Sequence, residues 1–182
     1  KCVHDPTAEA REFTVETFDE PAEFVPPDPS EFEVLDHVIE IFGEQRYIAS
    51  MSGGTKVMPL LGGVEEGLVT YALAPEVVRA ANRRAVREQN ARDRHCIRPG
   101  VAGVLMEEDM AGSNGPLISP DMFRECCLPY LRTRIASVKE HCDQVIFHNC
   151  GKTIPFMEMF IEAGIDCYQS LQTTAGMEIG RL

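Results

Sequence analysis

Residues 144–171 read QVIFHNCGKTIPFMEMFIEAGIDCYQSL, and this stretch decides the fold. The apolar run from Gln144 to His148 has the length of a buried strand. Apolar residues then recur at helical spacing until Gly164, a residue typical of a helix C-terminus. A second apolar run follows from Ile165 to Leu171. Strand, helix and strand in this order predict one unit of a parallel sheet covered by helices.

The same alternation extends upstream. Helices are predicted at 30–42, from Pro75 to Arg98, and from Ser119 with a kink at Pro129, and further strands at 47–51 and 101–106. Residues 56–73, apolar with several glycines, predict only short helical turns. The pattern predicts an α/β fold that is part of an eight-stranded β/α (TIM) barrel, with about four parallel strands and covering helices. At 182 residues the chain is short for such a barrel, so we expect an incomplete barrel, with an open sheet as the alternative.

The region before the first predicted helix has a different composition. Residues 1–30 are acidic and rich in proline, which predicts an irregular lead-in to a partial barrel domain at 31–182. The opening residues Lys1-Cys2-Val3-His4-Asp5 have neither an initiator Met nor a signal-peptide pattern, and are interpreted as a truncated or processed start.

Composition argues against two classes of function. The net charge is −12, so the field opposes nucleic-acid binding, and the run of arginines between Arg79 and Arg94 is interpreted as a solvated helix face. No stretch approaches the roughly 20 consecutive apolar residues that a membrane span needs. Seven cysteines without a secretory signal or a disulfide framework favour the cytoplasm. The expected partner is a small-molecule substrate, and a homo-oligomer stays open.

Polar residues follow each predicted strand, where parallel α/β folds carry their sites. His148 and Cys150 are two apart, so they project the same way, and an imidazole with a thiolate suits zinc. The alternative is a hydrogen-bonded histidine beside a buried thiol. Cys126-Cys127 and His141-Cys142 are interpreted as structural, and Gly53-Gly54-Thr55-Lys56 lacks the spacing of a phosphate-binding loop.

An acidic cluster, Glu107-Glu108-Asp109, follows the second predicted strand. If the strand persists, Glu107 and Asp109 share one side and Glu108 takes the other. Such acids are either solvated or orient a ligand, hold a proton or bind a metal. We take Glu107 and Asp109 as the candidate catalytic residues. Ser113, Asn114 and Gln169, which are polar and near strand ends, are the expected cofactor-binding residues.

Several segments together resemble the uroporphyrinogen decarboxylase (URO-D) superfamily. They share the family's order and spacing over roughly residues 100 to 180: Gly115-Pro116-Leu117-Ile118-Ser119-Pro120-Asp121-Met122-Phe123, Leu128-Pro129-Tyr130-Leu131, Val145-Ile146-Phe147-His148-Asn149-Cys150-Gly151, Ile161-Glu162-Ala163-Gly164-Ile165-Asp166 and Ala175-Gly176-Met177.

The resemblance implies a choice of chemistry. In the methylcobamide:thiol methyltransferase branch, zinc is held by a His-x-Cys pair, here His148 and Cys150, and by a distal cysteine that would lie beyond Leu182. Zinc activates a thiol, which accepts a methyl group carried by a corrinoid, so a corrinoid-binding protein is an implied partner. The first alternative is uroporphyrinogen decarboxylase, which acts in porphyrin synthesis without metal and predicts arginines around the tetrapyrrole carboxylates. The second is a non-catalytic corrinoid-binding protein.

Overall fold

A computed structural model describes residues 12–19, 24–52 and 54–181. The opening residues 1–5, other parts of the predicted lead-in, and Gly53 lie outside the described residues. Within them, short 3-10 turns occur at Glu16–Phe18, Pro29–Phe32, Ile154–Phe156, Thr173–Ala175 and Ile179–Arg181. None of the described helices has the length and apolar character to cross a membrane.

Strands and α-helices alternate through most of the described chain. The strands are β1 (Ala49–Met51), β2 (Gly103–Glu107), β3 (Ala111–Gly112), β4 (Gly115–Pro116), β5 (Gln144–His148) and β6 (Cys167–Gln169). The helices are α1 (Glu33–Phe42), α2 (Val64–Leu73), α3 (Pro75–Cys96), α4 (Pro120–Cys126), α5 (Leu128–Lys139) and α6 (Met157–Ala163).

Four strands form one parallel sheet in the order β1-β2-β5-β6, while β3 and β4 form a separate antiparallel hairpin. The order in the sheet follows the order in the chain, so each β/α unit is added at the same edge. Helices then cover one face, as in the wall of a barrel, rather than both faces as in a doubly wound sheet. The prediction of a partial TIM-barrel-like fold with four parallel strands is confirmed.

The two faces of this sheet have different environments. Val104, Met106, Val145 and Phe147 are fully buried and pack in the hydrophobic core with the covering helices. The alternate residues face the other way, and Met51 is 56% exposed there. In the register, Met51 aligns with Leu105, Leu105 with Ile146, and Ile146 with Cys167. We call this row Met51-Leu105-Ile146-Cys167 the open face.

Helix ends agree with the residues expected to form them. The Ser119 hydroxyl accepts a hydrogen bond from the Met122 N–H at 3.2 Å and caps α4. Gly164 ends α6 in the left-handed conformation, with φ +98°. The sequence predicted a helix kinked at Pro129, but the structure has two separate helices there. The helix is broken at Cys127, and Pro129 lies in the first turn of α5, where its missing N–H costs no intrahelical bond.

Residues 56–73 differ from the prediction of short turns, because Val64–Leu73 form one continuous helix. Gly67 lies in the middle of this helix against the backbone of Leu60, and a Cβ there would fall 2.5 Å from the Leu60 Cα. The glycine that suggested irregular structure is therefore a packing residue, and it allows α2 to lie close to the preceding loop.

The join between α6 and β6 is fastened by Asp166. Its carboxylate accepts hydrogen bonds from Lys139 Nζ at 2.9 Å and from the Val145 N–H at 2.8 Å. Burial alone would raise the pKa of Asp166, but these hydrogen bonds and the lysine charge outweigh it, so the pKa lies below its ordinary value. Asp166 thus ties α5, β5 and β6 together.

Candidate metal centre

The carboxyl ends of three strands bring polar side chains into one row. In the register, Glu107 of β2 aligns with His148 of β5, and His148 aligns with Gln169 of β6. Residues that align in a parallel sheet point to the same side. All three therefore lie on the side of the open face, at the rim where parallel α/β folds carry their sites.

His148 and Cys150 lie side by side, with the Cys150 Sγ 3.4 Å from the His148 Nε2. The side chain of His148 is 24% exposed, and Cys150 is half-buried. The alternative interpretation required a buried thiol, whereas this thiol and this imidazole both reach solvent.

Asp109 joins the pair. Its Oδ1 atom lies 3.9 Å from the His148 Nε2 and accepts a hydrogen bond from the Cys150 N–H at 2.8 Å. Its side chain is 62% exposed. In the described part of the chain, the ligand atoms of Asp109, His148 and Cys150 all lie within 4.8 Å of one another. The acid cluster and the His-x-Cys pair, which are far apart in sequence, therefore meet in one place.

A cavity of about 250 Å³ opens beside this cluster. It is lined by Glu107, Glu108, Asp109 and His148. Ser113 and Asn114 do not line it. They lie exposed at the tip of the β3–β4 hairpin, and their expected cofactor-binding role stays a prediction.

Glu108 points away from the other two acids and has a structural contact. Its two carboxylate oxygens accept hydrogen bonds from the Val57 N–H at 2.8 Å and the Met58 N–H at 3.0 Å. Burial raises the pKa of Glu108, and the two backbone bonds oppose that rise. Glu108 therefore holds the loop after β1 against the end of β2.

Arg134 of α5 also contacts this loop. This fully buried guanidinium donates to the Gly54 carbonyl at 3.2 Å and pairs with the equally buried Asp93 at 2.5 Å. Arg134 was not singled out from the sequence, because a single arginine in the middle of an otherwise ordinary helix gives no signal of burial.

Asn149, between the two metal-ligand candidates, is fully buried. Its side chain donates to the Glu108 carbonyl and accepts from the Met110 N–H at 3.2 Å. It thereby fixes the β5 end against the acidic segment. The sequence analysis missed this residue, although strand alternation already placed it opposite His148 and Cys150.

Gly151 allows the chain to turn directly after Cys150. It has φ +83°, and an added Cβ would lie 2.8 Å from the Gly112 carbonyl oxygen and closer still to that of Ala111. The β3–β4 hairpin therefore presses on this turn, and only glycine fits.

The end of β6 contacts the far sides of both ligand candidates. The Gln169 Oε1 atom faces the His148 Nδ1 atom in a short contact. The Ser170 hydroxyl lies 3.8 Å from the Cys150 Sγ. Gln169 was expected to bind a cofactor, and its observed partner is His148.

Residues 94–178 match the family model described as uroporphyrinogen decarboxylase (URO-D). No curated protein matches the chain significantly. A solved structure described as a methyltransferase from Methanosarcina mazei superposes with a TM-score of 0.63 at 18% identity.

That superposition covers 82% of this chain and 45% of the other chain, so this chain spans less than half of the methyltransferase. At this identity the likeness shows a shared fold. The segments that resembled the family in sequence fall almost entirely inside the matched region. Residues 94–178 are therefore similar to the uroporphyrinogen decarboxylase (URO-D) family, and this match covers a little less than half of the chain.

Proposed function

We propose that this chain carries the metal-binding part of a methyltransferase that transfers a methyl group between a corrinoid and a thiol. The observation that carries the proposal is the convergence of Asp109, His148 and Cys150, whose ligand atoms lie within 4.8 Å of one another beside a cavity. The resemblance to the His-x-Cys branch of the family and the fold shared with a methyltransferase support it.

The donor set fits zinc. One nitrogen, one sulfur and one carboxylate oxygen are ligand types that zinc takes, and catalytic sites use three protein ligands with a fourth position open. Usual zinc bond lengths at a tetrahedral angle put a nitrogen and a sulfur about 3.5 Å apart. The 3.4 Å between His148 and Cys150 agrees with this spacing. Asp109 is exposed, and its Oδ1 atom lies 3.9 Å from the His148 Nε2 atom.

The proposed roles follow from these positions. His148 and Cys150 would hold the zinc ion, which would supply a Lewis acid that favours the thiolate form of a substrate thiol, the nucleophile for a methyl group. Asp109 completes the ligand set or, through the Cys150 N–H, holds that ligand in place. Glu107 lines the same cavity and offers a carboxylate to the proton that the thiol loses.

Zinc content tests the proposal. The full chain, freed of loosely bound metal, is expected to retain about one zinc ion, measured by plasma mass spectrometry. His148→Ala and Cys150→Ser are expected to lose it. Cys167→Ser is the matched control, because Cys167 is an exposed cysteine on the open face away from the cluster. A full chain that binds no zinc contradicts the proposal.

Turnover tests the reaction itself. Methylcobalamin absorbance is expected to fall when a thiol is added to the zinc-loaded protein, and to stay constant with His148→Ala. Binding of a cobamide without any methyl transfer would instead support the non-catalytic alternative.

Uroporphyrinogen decarboxylase is the second candidate, favoured by the description of the matching family. The carboxylates of Glu107 and Asp109 at this cavity repel tetrapyrrole carboxylates rather than bind them, and none of the described arginines lines it. Decarboxylation of uroporphyrinogen by the metal-free protein would reverse the order of the two candidates.

A further inference from the structure

The contact between Gln169 and His148 bears on which imidazole nitrogen is free. A glutamine Oε1 atom only accepts hydrogen bonds, so this contact is a hydrogen bond in the tautomer that carries the proton on the imidazole Nδ1 atom. In a neutral imidazole, the other nitrogen then carries a lone pair. Here that nitrogen is the His148 Nε2, which lies 3.4 Å from the Cys150 Sγ. The geometry therefore leaves a metal-binding lone pair directed at the cluster.

The position of Gln169 is set by the sheet. It aligns with His148 in the β5–β6 register, and its carbonyl oxygen accepts a hydrogen bond from the Asn149 N–H at 2.8 Å. Both side chains therefore leave the sheet on the same side, one strand apart. A side chain on a loop would need ordering to make this contact, whereas Gln169 is placed for it by backbone pairing.

We propose that Gln169 is a positioning residue that holds His148 in the tautomer protonated at Nδ1, so that Nε2 is ready to bind metal. The proposal deepens the proposed function and rests on it for the metal. It predicts that Gln169 acts through His148 and does not itself contact the corrinoid. Hydrogen-bond partners of this kind typically change metal affinity about 10–100-fold when removed.

Three variants separate this role from general damage. Gln169→Leu removes the acceptor at similar size, and Gln169→Glu restores an acceptor oxygen. Gln144→Leu is the matched control, because Gln144 is an exposed glutamine on the same side of β5 at its other end. Thermal unfolding identifies any variant that fails to fold.

Zinc affinity by competition with a chelator is the first measurement. Gln169→Leu is expected to bind zinc about 10–100-fold more weakly than the unaltered chain. Gln169→Glu is expected to bind within a few-fold of it, and Gln144→Leu to match it. Unchanged zinc affinity in Gln169→Leu overturns the proposal, and weaker cobamide binding with unchanged zinc affinity would identify Gln169 as a direct cofactor contact instead.

The tautomer of His148 in the metal-free protein is the second measurement, read from imidazole ¹⁵N chemical shifts. The Nδ1-protonated form is expected in the unaltered chain and in Gln144→Leu, and its loss is expected in Gln169→Leu. This result holds or fails independently of zinc. A chain that binds no zinc but shows this tautomer and loses it in Gln169→Leu contradicts the proposed function and leaves the positioning role standing. An unaltered chain with His148 protonated at Nε2 contradicts the positioning role.

Discussion

Replacing Gly151 by alanine tests whether the hairpin β3–β4 shapes the turn after Cys150. Two separate effects should lower the free energy of unfolding of this variant. An L-residue at φ +83° costs about 1–2 kcal/mol. The added Cβ also overlaps the carbonyl oxygens of Ala111 and Gly112, and overpacking of this kind costs typically about 1–3 kcal/mol. These atoms belong to the backbone, so they cannot move aside without moving the hairpin.

Gly176→Ala isolates the first cost. Gly176 has the same φ of +83°, but an added Cβ there meets nothing within 4 Å. We expect the free energy of unfolding of Gly176→Ala to fall only by the conformational cost of about 1–2 kcal/mol. The free energy of unfolding of Gly151→Ala should fall by about 3 kcal/mol in total, which for a chain of this size lowers Tm by roughly 6–12 °C.

Circular dichroism during thermal unfolding measures the difference, and zinc affinity is read on the same samples. Because Cys150 directly precedes the altered residue, Gly151→Ala should also weaken zinc binding, while Gly176→Ala should leave it unchanged. If the two variants unfold at the same temperature and bind zinc alike, the hairpin does not press on the turn and the described site geometry is wrong.

Two further predictions concern ion pairs made by helix α5. Arg134→Met leaves the buried Asp93 carboxylate without its partner and should lower the free energy of unfolding by about 3–5 kcal/mol in urea titrations. Arg132→Met, which removes an exposed ion pair from the same helix, should cost about 1 kcal/mol or less, and equal losses would contradict the burial of the pair. Asp166 has a lowered pKa, so its folded form binds fewer protons than the unfolded chain as the pH falls through the acid range. Its contribution to stability is present above its unfolded pKa and is lost towards the lower folded pKa. Asp166→Asn should therefore flatten the acid limb of the stability profile, and an unchanged limb would contradict the lowered pKa.

The strands and helix ends were predictable because their signals are local. The run from Gln144 to His148 is a strand with those bounds, and Ser119 and Gly164 terminate helices as expected. Hydrophobic periodicity and capping depend only on neighbours in the chain. The hairpin β3–β4 was not predicted, because strands of two residues carry no period.

The candidate site was predictable only in part. Strand alternation placed His148 with Cys150, and it separated Glu108 from the other acids. The meeting of Asp109 with the pair depends on the register between β2 and β5, which no single segment contains. The buried contacts of Glu108 and Arg134 likewise depend on the loop after β1. Glu108 contacts Val57, which lies 51 residues earlier in the chain, and Arg134 contacts Gly54, which lies 80 residues earlier.

The order of strands in the sheet determines where a further strand could pair. Within the described residues, β1 pairs on one side only, with β2, and β6 on one side only, with β5. Each outer margin is therefore a template for backbone pairing. A strand that paired in parallel along the margin of β6, in the register that β6 keeps with β5, would place its carboxyl end beside Gln169 at the level of His148.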